Sequence, residues 1–122
     1  MTRSSTWFIV IASLLGCASL MLGAIGAHVL HNPPSWQSAV HTQTIHALFL
    51  IGLVALRGNI HGWAFGLSCA LVICGIVLFS GSIYVKTLLD IDNATKVAPY
   101  GGSMLMLAWL CLGAGALFRS QR

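Results

Sequence analysis

Four of the chain's five histidines fall within GAIGAHVLHNPPSWQSAVHTQTIHALFL, residues 23 to 50. Histidine can ligate a metal, move a proton or link helices by hydrogen bonds. His41 and His46 are five residues apart and do not stack on one helical face, so they form no HExxH-like zinc motif. A zinc site would also need more ligands than this stretch offers. His28 and His46 could in principle hold a haem iron from two sides. Acid–base chemistry finds little support. The chain has no glutamate, and its two carboxylates, Asp90 and Asp92, lie in one polar loop. A Ser–His–Asp arrangement cannot be assembled without borrowing from that loop, and no phosphate-binding motif is present. Cys17, Cys69, Cys74 and Cys111 all sit in apolar runs, and Cys69 and Cys74 are not at CxxC spacing. They read as small buried hydrophobes. The expectation is a protein that is not an enzyme and has no cofactor.

The elements that must position these residues are membrane spans. Of 122 residues, 57% are hydrophobic and 7% charged. A soluble domain carries roughly 25% charged residues, so this chain has too little polar surface to cover a water-soluble globule. Apolar runs near bilayer length recur at about residues 7–30, 37–56, 63–86 and 97–118. The prolines and glycines of HNPPSWQS and RGNIHG break the chain between them. The loop KTLLDIDNATK, residues 86 to 96, carries both signs of charge. One domain, residues 1–122, is expected. Its fold class is all-α, an integral membrane antiparallel four-helix bundle. A surface-lying second segment is the alternative, but IHALFLIGLVAL has no polar face. Leu-Leu-Gly-Cys at 14 to 17 resembles a lipoprotein signal, yet the apolar run continues to residue 30, so a retained helix is expected.

Arg3, Arg57, Arg119 and Arg122 fall on one side of such a bundle. Lys86 and Lys96, diluted by the two aspartates, fall on the other. The positive-inside bias then places both termini in the cytoplasm. The net charge of +4 is spread over helix ends and forms no nucleic-acid patch. Trp7, Trp36 and Trp63 sit near segment ends, where interfacial tryptophans are found. Ala12, Gly16, Ser19, Gly23 and Gly26 make a small-residue stripe that lets a neighbouring helix approach closely. Gly66 with Ala70, and Gly113 with Ala116, suggest shorter stripes in the third and fourth segments.

Sorted by depth, the polar residues converge on the outer side. His28 ends the first segment. Gln43 and His46 share a face of the second, with His46 roughly 10 Å from its start. Ser80, Ser82 and Tyr84 come from the third, and Pro99, Tyr100, Gly101 and Gly102 open the fourth. Three readings compete. One is a hydrogen-bonded clasp tying helix ends together. Another is a pocket for a quinone-like or lipid-like amphiphile, with Gly101 and Gly102 admitting its headgroup. The third is haem ligation. A small transporter working as an oligomer is a further alternative, without the repeats such proteins usually carry. The leading expectation is a structural or accessory protein, with the lipid bilayer, a larger membrane complex or a second copy as its partners.

GAIGAH at 23 to 28, TQTIHAL at 42 to 48, FSGSIY at 79 to 84, APYGG at 98 to 102 and AW at 108 to 109 resemble the YgdD/YwdK-like family. This is a group of small bacterial inner-membrane proteins, also called UPF0382, with a domain of unknown function, number 423. The resemblance covers nearly the whole chain. It implies four spans in the inner membrane. It also implies motif positions at His28 and His46, at Phe79 to Ser82 with Tyr84, and at Pro99, Gly101 and Gly102. Thr42 stands where the family's YQxxH-like motif has an aromatic or aliphatic residue. The resemblance implies no reaction.

Overall fold

The structure, a computed structural model, describes residues 2–121. Every regular element among the described residues is helical. Helix α1 spans Arg3–His28 and α2 spans Pro34–Ala55. A 3-10 turn, Arg57–Asn59, leads to α3, Gly62–Ile76. A π-helical turn, Val77–Gly81, joins α3 to α4, Ser82–Leu89. A 3-10 segment, Asp92–Val97, then feeds α5, Ala98–Ser120. Read through these turns, four helices are long and apolar enough to cross a membrane: Arg3–His28, Pro34–Ala55, Gly62–Leu89 and Asp92–Ser120.

Local chemistry sets the ends. The Thr2 hydroxyl accepts from the Ser5 amide at 3.2 Å, which satisfies one free donor at the start of α1. After His28 the chain turns sharply, with His31 and Asn32 both at positive φ, 57° and 59°. Asparagine tolerates that region best among residues with a side chain. The Asn32 amide donates back to the Gly26 carbonyl at 2.7 Å, and the Gln37 amide group donates to the Asn32 carbonyl at 2.7 Å. Pro34 then opens α2, where a missing N–H costs nothing. Asp90, at φ 56°, ends α4. Pro99 repeats the role of Pro34 in the first turn of α5.

Helix α1 packs on α2, and α3 packs on α5, with α2 also against α3, the π turn and α4. The buried residues of α1 are Ser5, Ala12, Ser19 and Gly26, each seven from the last. Small residues at heptad spacing make a seam that faces one partner along its length. At Gly26 a Cβ would lie 2.5 Å from the Trp36 ring, so glycine is required there. Gly23 meets Val40 at ordinary contact distance. Gly16 is the exception to the expected stripe: a Cβ there would meet nothing within 4 Å. It borders an open groove of about 350 Å³ between α1 and α2.

Helix α5 has its own seam, Gly101, Leu105, Ala108 and Gly115. A Cβ on Gly101 would strike the Phe79 amide nitrogen, and one on Gly115 would strike Ala64. A Cβ on Gly75 would lie 2.7 Å from Leu105. The expected contact glycines, Gly66 and Gly113, have open space instead. Both are exposed, Gly66 one residue beyond buried Phe65 and Gly113 two before buried Gly115. Leu50, Leu53, Cys69, Val72, Leu105 and Ala108 fill the core between these seams. Of the cysteines, Cys69 alone among the described residues is fully buried. Cys17 and Cys74 are exposed, and all four thiols are free.

Trp36 corrects another expectation. It is 1% exposed and is part of the interior rather than an interfacial anchor. The pull comes from two partners: its indole N–H donates to the Leu22 carbonyl at 2.8 Å, and its ring lies 4.8 Å from Tyr84.

Candidate functional site

Gln43 is the centre of the polar cluster. Its Nε2 donates to the Leu15 carbonyl of α1 at 2.8 Å, and its Oε1 accepts from the Tyr84 hydroxyl of α4 at 2.6 Å. One side chain on α2 thus links three of the long helices. Both bonds are made in a setting where water cannot substitute, so an unmade one would be costly. Ser80 adds a link of the same kind, donating to the Ala39 carbonyl at 2.8 Å while fully buried. It does so from the π turn. That turn is widened by one residue, and Gly101 packs against its Phe79 backbone. Wide turns of this kind recur where a helix must re-aim side chains.

His46 forms a second layer. Its Nδ1 is 2.8 Å from the Thr42 carbonyl, and the Trp109 indole donates to its Nε2 at 3.1 Å. Nε2 therefore accepts and Nδ1 donates, which selects one neutral tautomer. Trp109 also lies 4.1 Å from Phe49, ring centre to ring centre. Because α2 starts at Pro34 rather than at about residue 37, His46 is about 18 Å along it by helical rise. It is near mid-helix, deeper than the 10 Å expected.

The expected residues do not all meet. Gln43, Ser80 and Tyr84 join one network, with His46 a turn deeper. Ser82 is buried but donates locally, to the Phe79 carbonyl at 2.8 Å. His28 is exposed at the end of α1, and no hydrogen bond ties it to His46 among the described residues. The two histidines do not form an axial pair, and both ring nitrogens of His46 are already bonded within the protein. Pro99 shapes the start of α5, and its carbonyl accepts from Ser103 at 2.9 Å. Gly101 is a packing residue. Gly102 instead faces a cleft of about 240 Å³ that is also lined by Thr42, His46, Phe79, Met106 and Trp109.

Sequence reasoning missed Trp36 and Trp109 as members of these networks. Trp36 follows the proline pair and looked like an interface residue. Trp109 stands at four- and seven-residue spacings from Leu105 and Gly102 on α5, a helical-face signal that only the position of the cleft makes meaningful. The far end of the molecule holds a third cluster. Arg57 Nη1 donates to Thr2 and Ser5 hydroxyls at 2.7 and 2.6 Å, and its guanidinium lies 4.6 Å from the Phe65 ring centre.

Comparison with known proteins supplies the family. Residues 22–102 match the family described as a protein of unknown function, DUF423. A UPF0382 membrane protein of Staphylococcus haemolyticus is 33% identical over 117 residues, covering 86% of this chain and 90% of that protein. The UPF0382 inner membrane protein YgdD of Escherichia coli is 33% identical over 121 residues, covering 93% and 92%. No solved structure matches. With four of its five motifs in the matched region and four helices long enough to cross a bilayer, the chain belongs to the DUF423 (UPF0382) family of membrane proteins whose activity is unknown.

Proposed function

We propose that this protein is a non-enzymatic component of the bacterial inner membrane. In this reading it is an antiparallel four-helix bundle with both termini in the cytoplasm, and it serves as a structural or accessory subunit of a larger membrane complex. Relatives named as inner membrane proteins support the location. The pairing of Leu22 with Trp36, Leu15 with Gln43 and Thr2 with Arg57 supports opposite directions for the first two helices.

The observation that carries the reading is where the cluster's polar groups go. Gln43, His46, Ser80, Ser82 and Tyr84 each bond to another protein group. A general base or nucleophile needs a free atom facing a substrate. Here Gln43, Ser80, Tyr84 and the Nε2 of His46 hold helices together, while Ser82 and the Nδ1 of His46 bond within their own segments, and the cluster reads as a clasp. A rigid clasp keeps the outward apolar surface in one shape, which is what a docking subunit needs. Purification from native membranes in mild detergent, followed by native mass measurement, tests this. A co-purifying membrane protein at fixed stoichiometry is expected. A lone monomer, recovered from cells at native expression level, would sink the accessory role.

A further inference from the structure

Among the described residues, the clasp leaves the Thr42 hydroxyl unused. Deep hydroxyls elsewhere in the long helices bond to protein: Ser13 to Ile9, Ser19 to Gly16, Thr44 to Val40 and Ser68 to Ala108. Thr42 does not. Its carbonyl takes the His46 Nδ1–H, but among the described residues its hydroxyl has no hydrogen-bond partner. Thr42 lines the cleft beside His46, whose own two nitrogens are spent. An unmet hydroxyl at this depth is costly, because lipid tails offer no acceptor.

We infer that the cleft between α2 and α5 binds the ring of a prenylquinone-class amphiphile, with the Thr42 hydroxyl donating to a ring carbonyl. Three features select this ligand. Size is the first. About 240 Å³ holds a flat headgroup but not a whole amphiphile. The mouth is bordered by Met106 and Trp109, 64% and 48% exposed, so a tail can run out among the lipids. Shape is the second. Phe79 and Trp109 offer aromatic surfaces, and Gly102 leaves the volume unfilled, its nearest neighbour to an added Cβ being the Phe79 ring at 3.8 Å. Depth is the third. Helix α2 has 22 residues, about 33 Å, which matches the hydrocarbon thickness. Thr42 is then about 12 Å below its edge. Phospholipid ester carbonyls stay at the edge, whereas a small apolar ring with its own carbonyls reaches Thr42. No redox step is implied.

The test uses full-length protein in detergent, with decylubiquinone as the probe and quenching of tryptophan fluorescence as the signal. Saturable quenching is expected for the native sequence. Thr42→Val keeps the side chain's shape and should weaken binding about 5- to 10-fold, the loss of one hydrogen bond. Gly102→Leu should fill the cleft and abolish saturation. Dodecylbenzene, a ring without carbonyls, should not compete. Circular dichroism and thermal melting establish that each variant is folded; if Gly102→Leu is not, Thr42→Val alone decides. Quenching that only rises linearly with probe in the micelle would overturn the inference. So would native-like affinity in folded Thr42→Val, in folded Gly102→Leu, or equal competition by dodecylbenzene.

Discussion

Gln43 shows what one buried amide does when water is absent. It donates to Leu15 and accepts from Tyr84, and a leucine of similar size can do neither. Gln43→Leu is expected to destabilise the protein by about 1–2 kcal/mol, since each interhelical bond in a bilayer contributes a modest amount. Thermal unfolding in detergent should record it, and Tyr84→Phe in the same background should add little because the shared bond is already gone. Trp109→Phe is a milder change. It removes the 3.1 Å bond to His46 but keeps a ring against Phe49, so a loss of about 0.5–1 kcal/mol is expected. His46→Ala should cost more, because the imidazole packs beside both aromatic rings as well. The residue types of the network were legible in the sequence: a glutamine, a histidine, a serine and a tyrosine cannot sit in apolar runs without partners. Which of them would meet was not. His28 carries the same chemistry as His46 but lies at a helix end, where exposure satisfies it. Trp36 sits at a similar boundary yet turns inward, because the Leu22 carbonyl and the Tyr84 ring are within reach. Sequence depth alone cannot tell these two cases apart.

At the scale of elements, the helices are matched through small residues at heptad spacing. Ser5, Ala12, Ser19 and Gly26 form the α1 seam, and Gly101, Ala108 and Gly115 form that of α5. Adjacent glycines test how specific the second seam is. Gly101→Ala drives a methyl into the Phe79 and Gly75 backbone, which cannot yield as a flexible side chain would. A cost of about 2–3 kcal/mol is expected, with loss of the π turn. Gly102→Ala meets only a ring at ordinary contact distance and should be neutral or slightly stabilising, since alanine favours the helix by about 0.5–1 kcal/mol over glycine. Unfolding midpoints of the two variants should therefore move in opposite directions or differ by several degrees. Gly16→Ala should behave like Gly102→Ala. The four apolar runs and the proline breaks could be read from the sequence because length, hydropathy and missing N–H groups act locally. The α1 stripe was legible in outline for the same reason. The π turn was not, because its contact with Gly101 is made between segments of different helices and leaves no local pattern. Nor could Gly75 and Gly115 be told from Gly66 and Gly113, since four glycines of equal chemistry differ only in which way the helix is rotated.

At the scale of the whole molecule, charge is the feature expected to set how the four helices sit across the bilayer. The chain carries six basic and two acidic residues. Arg57 is at the same end as the start of α1, to which its guanidinium bonds through Thr2 and Ser5. Arg119 closes α5 at the end where the Gly115 carbonyl accepts from the His61 amide. Arginine thus gathers where the first, second and fourth long helices have their free ends or short turn. Lys86 and Lys96 stand at the opposite end beside Asp90 and Asp92. Basic residues near span ends resist translocation, while aspartates contribute little to orientation. The expected arrangement has both termini and the Arg57–Asn59 turn in the cytoplasm, with the Asp92–Val97 segment outside. All four native cysteines are free and two are exposed, so the test starts from a variant with each replaced by alanine. A single cysteine is then placed before α1, after α5, or at Asn93. A membrane-impermeant maleimide should label Asn93→Cys on intact spheroplasts. It should reach the two terminal cysteines only after the membrane is opened. Labelling of either terminus from outside sinks the assignment for that end. Labelling of one terminus but not the other would mean an odd number of crossings, and one of the four long helices would then lie outside the bilayer core. Helix α2 would be the first suspect by hydropathy, 1.4 against 1.7 to 2.4 for the others. Yet it is also tied to its neighbours through Gln43, Ser80 and Trp36, bonds that a helix lying on the surface would have to give up.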